Sequence, residues 1–431
     1  MGTSLAFHIV FAALGVGLPA LLLITEGVWL RTKDSAYERL LGTLTQATAI
    51  LFAVGAVSGT ILSFELGLLW PEFMRYAGGI IGLPFSAEGF AFFIEAIFIG
   101  LYVYGREKMS PLAHWLCAVP IAISGAVSAA FVICANAWMN LPAGFRLVRG
   151  RVTDVHPVAA MFGPAAPTEV AHGTLAAYVF TGFGVACVYA FAYLRGRREP
   201  HVLAGLRIAM VVGAVAIPLQ LVVGDISARF DGYAEPAKLA AFEALYHTRA
   251  RAPLTIGGIP DDAKQRVAYG IEVPLLLSLL TSENVDATVR GLDEFRAADR
   301  PPVAPVHFAF DLMVGSGSML LAIAGWWFFT SRKRRSVPGR WLLRAISLSG
   351  IFALCALEAG WVVTEMGRQP WIARGLLRTT DAVTAAPGID LAFYGFSLIY
   401  VALGATSWWL LLRLGKPQTA RDRLRPAGVG A

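Results

Sequence analysis

The chain has 431 residues, of which 56% are hydrophobic and only 15% charged, and its mean hydropathy is +0.61. Water-soluble domains average about 25% charged residues, so a soluble globular protein is excluded, and at about 20 residues per crossing the apolar material makes many membrane spans. The formal charge of +7 does not point to nucleic acid, because the basic residues sit in short blocks between apolar runs, where membrane topology uses them.

Runs of about 18 or more residues with few charges predict helices at 4–30, 41–69, 85–105, 111–139, 169–194, 204–224, 304–330, 342–365 and 390–413. The expected fold is an all-α polytopic membrane protein, with about nine transmembrane helices in bundles and one long loop after the sixth. No basic region precedes the first run, and it is too long for a signal core, so it is expected to remain as a helix. The loops after spans one, three, five and seven carry Arg31, Lys33 and Arg39; Arg106 and Lys108; Arg195, Arg197 and Arg198; and Arg332, Lys333, Arg334 and Arg335. The C-terminal segment adds Arg413, Lys416, Arg421, Arg423 and Arg425. The positive-inside rule puts these residues and the C-terminus in the cytoplasm and the N-terminus outside; segment 140–168, with Arg146, Arg149 and Arg151, runs against the pattern.

The chain then divides into helices one to six (1–224), a long outer-face loop (225–303), helices seven to nine (304–415) and a cytoplasmic tail (416–431). Helix-like patterning at Pro236 to Tyr246 and an apolar stretch at Val273 to Leu280 mark the loop as a folded, substrate-binding segment. Cys117, Cys134, Cys187 and Cys355 lie in apolar runs without CxxC spacing and read as packing residues. The last span carries Trp408, Trp409 and Leu410 to Leu412 on an apolar face that meets lipid or a partner.

Ionisable side chains inside a bilayer are costly enough to be functional candidates. His8 lies near the outer end of span one, His172 begins span five, and Glu88 and Glu95 fall in the first half of span three, seven residues apart and close to one helix face. Met313 lies about two and a half turns into span seven and Glu365 ends span eight, which puts every candidate ligand in the outer half. Histidine and methionine are the axial ligands of low-spin haem, so His172 with Met313 could clamp one haem and His8 with Glu365 could serve others. The plain alternatives are interhelical hydrogen bonds for the histidines and packing for Met313, and taken alone Met313 reads as packing. His307, at the outer end of span seven, is a weaker candidate; His114, His201, His156 and His247 lie at helix ends or in loops, and Glu26 and Glu65 belong to proton conduits or to interhelical hydrogen bonds.

Glu358-Ala-Gly-Trp361 followed by Glu365-Met-Gly-Arg-Gln-Pro-Trp371 looks like the EAGW and GRQPW signature of subunit I of the cytochrome bd-type quinol oxidases, and the sequence resembles that family over nearly its whole length. Phe64-Glu-Leu-Gly, Glu88-Gly-Phe-Ala-Phe-Phe-Ile-Glu95, Asn136-Ala-Trp-Met139, Ala171-His-Gly173, Gly224-Asp225, Lys238-Leu-Ala-Ala-Phe-Glu243 and Met313-Val-Gly support the match. The resemblance implies that His172 and Met313 hold a low-spin haem b. His8, Glu365 and a span-three acid, Glu88 before Glu95, would ligate or flank two haems at the oxygen site, a high-spin haem b and either a haem d or a further haem b, with no copper. It implies that Lys238 and Glu243 serve quinol oxidation in the loop, that Glu95, Ser128 and Asn136 deliver protons, that Trp361 packs between haems, and that Arg368 belongs to the same catalytic signature. Implied partners are a homologous membrane subunit II, a small single-span subunit, quinol and O2, and the implied location is the bacterial inner membrane. Asp311 stands where the family usually has an arginine two residues before the methionine ligand, and a carboxylate there is expected to repel haem propionates unless it is protonated or paired.

On this reading the chain oxidises quinol at the outer face, with Glu243 as proton acceptor and Lys238 orienting the quinol oxygen, and reduces O2 to water, generating a proton motive force. The rival readings are a diverged haem membrane protein that transfers electrons or senses without reducing oxygen, which Asp311 favours, and a solute transporter, which the lack of internal repeats and of broken-helix signals disfavours. Seven histidines, several of them in loops, are too few for a haem-copper or bis-histidine site.

Overall fold

The computed structural model describes residues 1–149, 151–331 and 337–415. The basic residues Arg332, Lys333, Arg334, Arg335, Lys416, Arg421, Arg423 and Arg425 and the 416–431 tail lie outside the described residues. Among the described residues nine helices are long and apolar enough to cross a membrane: α1 (Gly2–Thr32), α2 (Ser35–Leu69), α3 (Pro71–Gly105), α4 (Pro111–Asn140), α6 (Ala166–Leu194), α7 (Pro200–Ala234), α10 (Val303–Ser331), α11 (Arg340–Gly367) and α13 (Ile389–Leu414). Four short helices complete the set, α5 (Pro157–Met161), α8 (Pro236–Phe242), α9 (Leu276–Ser282) and α12 (Thr379–Ala382).

Local chemistry sets the ends. Asp34 caps α2 by accepting from the Ala36 N–H at 2.8 Å, and Ser110 caps α4 by accepting from Ala113 N–H at 3.3 Å, with Pro111 in the first turn where its missing N–H costs nothing. The helices α2, α3 and α7 each have 35 residues. At 1.5 Å per residue that is about 52 Å, well beyond the roughly 30 Å of hydrocarbon. Hydropathy reads only the apolar part of such a helix. Helix α3 therefore starts at Pro71, ahead of the apolar run at 85, α7 runs on to Ala234, and the segment between the sixth and seventh long helices is 235–302. Along the longer α3, Glu88 stands at the middle of the helix and Glu95 about two turns beyond it.

Two four-helix groups share a side. One is built from α1, α2, α3 and α4; the other from α6, α7, α10 and α11, in which α6 and α10 each neighbour α7 and α11 and so stand diagonally. Helices α1 and α4 join the groups by packing on α6, and α13 lies outside against α2 and α1. Small residues set the closest approaches: a Cβ on Gly182 would come within 2.5 Å of the Gly213 nitrogen, and one on Gly17 within 2.1 Å of Thr181 Oγ1. Thr181 Oγ1 in turn donates to the Ala13 carbonyl at 3.2 Å, tying α6 to α1.

The 235–302 segment is folded, as its patterning predicts. It holds α8, α9 and three nested antiparallel ladders, Arg249–Ala250 with Thr288–Val289, Leu254–Ile256 with Ile271–Val273 and Ile259–Asp261 with Arg266–Ala268. Leu239, Phe242, Leu277, Val289 and Leu292 form its core, continuous with Val303, Val306 and Ala309 of α10 and Ala359 and Val363 of α11. Burying that apolar set docks the segment on one end of the second bundle, the loop end, which also carries the 141–165 and 368–388 connections.

Candidate functional site

Three candidate ligands each lie against a glycine of the neighbouring helix. A Cβ on Gly224 of α7 would come 3.2 Å from His172 Cε1, one on Gly360 of α11 3.2 Å from Met313 Sδ, and one on Gly59 of α2 2.9 Å from His8 Cε1. His172 on α6 and Met313 on α10 are on the diagonal helices of the second bundle, both toward the loop end. An imidazole and a thioether on diagonal helices, each beside a missing side chain, are the kind of donors that a low-spin haem takes as axial ligands. Gln220 Nε2 lies 3.1 Å from His172 Nε2.

His8 is held by a hydroxyl of the neighbouring helix. Ser58 Oγ donates to the Gly55 carbonyl at 3.1 Å and stands 2.9 Å from His8 Nδ1. With the hydroxyl proton on that carbonyl, Ser58 Oγ accepts from Nδ1–H and the Nε2 lone pair is the one free to act as a donor.

Glu365 sits in a polar network at the loop ends of α4, α6 and α11. It is ion-paired with Arg368, accepts from Asn136 Nδ2 at 2.8 Å, and Arg368 Nη1 donates to Asn140 Oδ1 at 3.0 Å. Asn140 Nδ2 is within reach of Glu169 Oε1 at 2.9 Å and Thr364 Oγ1 at 3.0 Å. Arg368 is 3% exposed, so its charge requires these partners. Trp361, two helical turns before Arg368, is half-buried and packs on the main core.

The two α3 acids face α4 as their spacing predicts. Ser128 Oγ donates to Glu88 Oε1 at 3.2 Å, and Glu95, 5% exposed, faces Gly125, whose Cβ would stand 3.2 Å from its Oε1. Of the three proposed proton carriers, Ser128 thus joins Glu88 whereas Asn136 joins Glu365 instead.

Lys238 on α8 and Glu243, the residue that ends it, are both buried but point apart. Lys238 Nζ pairs with Asp231 at 3.3 Å and Glu235 at 3.7 Å, and its stem lies on Gly367. Burial opposes the charged form, but Asp231, Glu235 and Glu169 outweigh it and hold the Lys238 ammonium above the ordinary lysine value. It is therefore not a free cation. With Glu235, Phe295, Gln369, Trp371 and Arg374 it lines a cavity of about 190 Å³. Glu243 lies on the other side, beside Asp311; burial first, and then that carboxylate, push it up to about 8. Its Oε2 has no hydrogen-bond partner among the described residues.

Asp311 is hydrogen-bonded into the connecting segment. Its Oδ2 accepts from the Gly257 N–H at 2.8 Å and lies 3.4 Å from His307 Nε2. His307, fully buried, also faces the carbonyls of Phe242 at 2.8 Å and Gly257 at 3.2 Å, so it fastens the connecting segment to α10. Residues that sequence reading passed over are Asn140, Glu169, Asp231, Glu235 and Arg374. Glu169 and Asp231 carried a faint signal as acids in the end turns of apolar helices; the others sit in connections or end turns where polar residues are ordinary.

Comparison with known proteins gives the family. The family model described as cytochrome bd terminal oxidase subunit I matches residues 1–419. A Bacillus subtilis (strain 168) protein provisionally named cytochrome bd menaquinol oxidase subunit I is 37% identical over 417 residues, covering 95% of this chain and 94% of its own. The cytochrome bd-II ubiquinol oxidase subunit 1 of Escherichia coli (strain K12) is 28% identical, covering 90% of this chain and 89% of its own. The solved bd oxidase from Geobacillus thermodenitrificans superposes with a TM-score of 0.91 at 36% identity over 96% of both chains. The chain belongs to the cytochrome bd terminal oxidase subunit I family.

Proposed function

We propose that this chain is the haem-bearing subunit of a bd-type terminal oxidase, a quinol:O2 oxidoreductase that oxidises quinol beside the 235–302 segment and reduces O2 to water. The observation that carries the reading is the glycine cradle beside each of His8, His172 and Met313. Membership of the family implies haem. We assign His172 and Met313 to a low-spin haem b, and His8 and Glu365, with Glu88 nearby, to a high-spin haem b and a haem d or further haem b, without copper. When bound, haem iron supplies one-electron transfer and O2 binding and reduction; the chain's own residues do the rest.

The loop end faces outward on this reading. What supports the orientation is that Arg31, Lys33, Arg39, Arg106, Lys108, Arg195, Arg197, Arg198 and Arg413 all lie at the opposite end. Quinol docks against the 235–302 segment on the side of Glu243 and Asp311, and Glu243 accepts its proton, a task suited to a carboxyl poised near working pH. Lys238 acts by holding Asp231 and Glu235 together beside the cavity that it lines with Glu235. Arg368 and Asn136 hold Glu365 in place, Trp361 fills the space beside it, and Ser128, Glu88 and Glu95 handle protons that come from the cytoplasm. Quinol protons are released outside while others are consumed from inside, so turnover generates a proton motive force.

The partners that fit are a homologous membrane subunit II, a small single-span subunit, quinol and O2, in the bacterial inner membrane. The exposed apolar face of α13, with Trp408 and Trp409, is available to lipid or to such a subunit. The test is a reduced-minus-oxidised spectrum with haem extraction, followed by oxygen uptake on a short-chain quinol. Bound haem without oxygen uptake in the assembled complex would support electron transfer or sensing instead, and absence of haem would refute all the ligand assignments.

A further inference from the structure

A buried acid, imidazole and phenol meet near the end opposite the 235–302 segment, away from every ligand named above. Glu26 on α1, Tyr102 on α3 and His114 on α4 are at most 3% exposed. Tyr102 Oη donates to Glu26 Oε2 at 2.6 Å, His114 Nδ1 stands 2.6 Å from Glu26 Oε1, and His114 Nε2 stands 2.8 Å from the Tyr102 carbonyl oxygen. A carbonyl oxygen only accepts, so Nε2 carries a hydrogen. The Nδ1–Oε1 contact needs a proton too, either as imidazolium against carboxylate or as neutral imidazole against carboxylic acid. In both forms the pair holds one transferable proton, inside apolar packing where an unpaired group would be costly.

The surroundings give this proton a direction. Toward the end of the bundle, Arg106 follows Tyr102 by one turn of α3 and pairs with Glu38 at 3.3 Å; these two, with Ser35, Arg39 and Glu107, line an open cleft of about 610 Å³. Toward the centre, α3 repeats an ionisable side chain every seventh residue, at Tyr102, Glu95 and Glu88. Residues seven apart drift only about 20° around a helix and rise about 10 Å, so the three form one column. Phe52 stacks on Phe92 with centroids 5.3 Å apart, which sets the antiparallel register of α2 on α3 and puts Thr48 level with the stretch between Glu95 and Tyr102. Thr48 Oγ1 and Glu95 Oε1 are buried without a hydrogen-bond partner among the described residues, two polar atoms in the gap that a transferred proton must cross.

We propose that Glu26, His114 and Tyr102 form the loading site at which protons for oxygen reduction are taken from the cytoplasmic cleft and passed inward to Glu95. This rests on the oxidase reading and orientation given above. In each transfer, water in the cleft gives one proton to the Glu26–His114 pair as the pair yields its own inward, and the hydroxide left is reprotonated by cytoplasmic buffer, so the cluster ends each cycle with its starting charge. The titratable and charged groups that face it are Glu26 from α1, Glu38 through Arg106 from α2, Tyr102 and Arg106 from α3, and His114 and Cys117 from α4.

The test uses the complete oxidase in proteoliposomes and the variants Glu26→Gln, Tyr102→Phe and Glu95→Gln. It reads quinol reduction of the haems, oxygen uptake, and proton uptake when the reduced enzyme meets oxygen. Glu26→Gln is expected to keep the unaltered haem spectrum and haem reduction rate, while proton uptake and oxygen uptake fall about tenfold or more. Tyr102→Phe keeps the ring packing and removes one hydrogen bond to the acid; it is expected to displace the alkaline limb of turnover by about one pH unit, where a purely structural role would lower activity equally at all pH. Unchanged proton uptake and pH profile in Tyr102→Phe overturn the loading site, and that variant decides alone if Glu26→Gln does not assemble. Full proton uptake in Glu26→Gln with a block in Glu95→Gln also overturns it but leaves the inner route standing. Absence of oxygen uptake in the unaltered complex is the separate outcome that defeats the oxidase reading itself.

Discussion

Glu243 is the residue on which a quantitative test of the quinol chemistry turns. A general base works only in its ionised form, and burial together with Asp311 pushes this carboxyl up to about 8. At pH 7 about one tenth of it is ionised and at pH 9 about nine tenths, so the rate of quinol oxidation is expected to rise roughly tenfold between those pH values. Glu243→Gln is expected to lower quinol-driven turnover by about 10²–10⁴-fold at every pH while dithionite still reduces all haem. Asp311→Asn removes the second cause of the shift, so it should move the rising limb to lower pH and increase turnover at pH 7. The assay is oxygen uptake with a soluble quinol from pH 6 to 9.5, with haem reduction followed in parallel. A flat profile in the unaltered enzyme, or a Glu243→Gln variant that keeps the tenfold rise, would refute the assignment of Glu243 as the base.

Further outcomes follow from the same contacts. Lys238→Met leaves Asp231, Glu235 and Glu169 buried around a lost cation and is expected to destabilise the assembled protein by about 3–5 kcal/mol, read as a fall in the thermal midpoint of haem loss. Gly360→Val drives a side chain into Met313 Sδ, so the low-spin haem b band should give way to a high-spin, carbon monoxide-binding one; Gly224→Val, against His172, should lose that haem altogether. Unaltered spectra in both would remove His172 and Met313 as ligands. Arg368→Ala strips Glu365 and Asn140 of a buried partner, and the oxygen-site haem signals are expected to weaken while the low-spin band persists. Glu243 binds its proton more tightly folded than unfolded, so the stability this gives is complete below the ordinary carboxylate range and is lost as pH rises through about 8. Proteolysis of the 235–302 segment should accordingly be faster at pH 9 than at pH 6, and Glu243→Gln should erase the difference.

The sequence by itself determined the membrane class, the number and order of the spans and the folded nature of the long connection, because hydrophobic runs, basic blocks and turn residues are local signals that the bilayer enforces. The seven-residue spacing of Glu88 and Glu95 and the signature around Glu365 are local signals of the same kind, and they mark candidate groups on their own helices. Helix ends escaped it where α3 and α7 continue past the hydrocarbon with polar residues, since helical hydrogen bonding there does not depend on apolar side chains. Only the tertiary structure decided which groups meet. It tied Lys238 to Asp231 and Glu235, turned Asp311 toward Gly257 and His307, gave Asn136 to Glu365 and joined Glu26, His114 and Tyr102, residues up to 88 positions apart. Such pairings depend on which helices pack and how closely, and the glycines that allow the closest approaches carry no side chain from which a partner could be read.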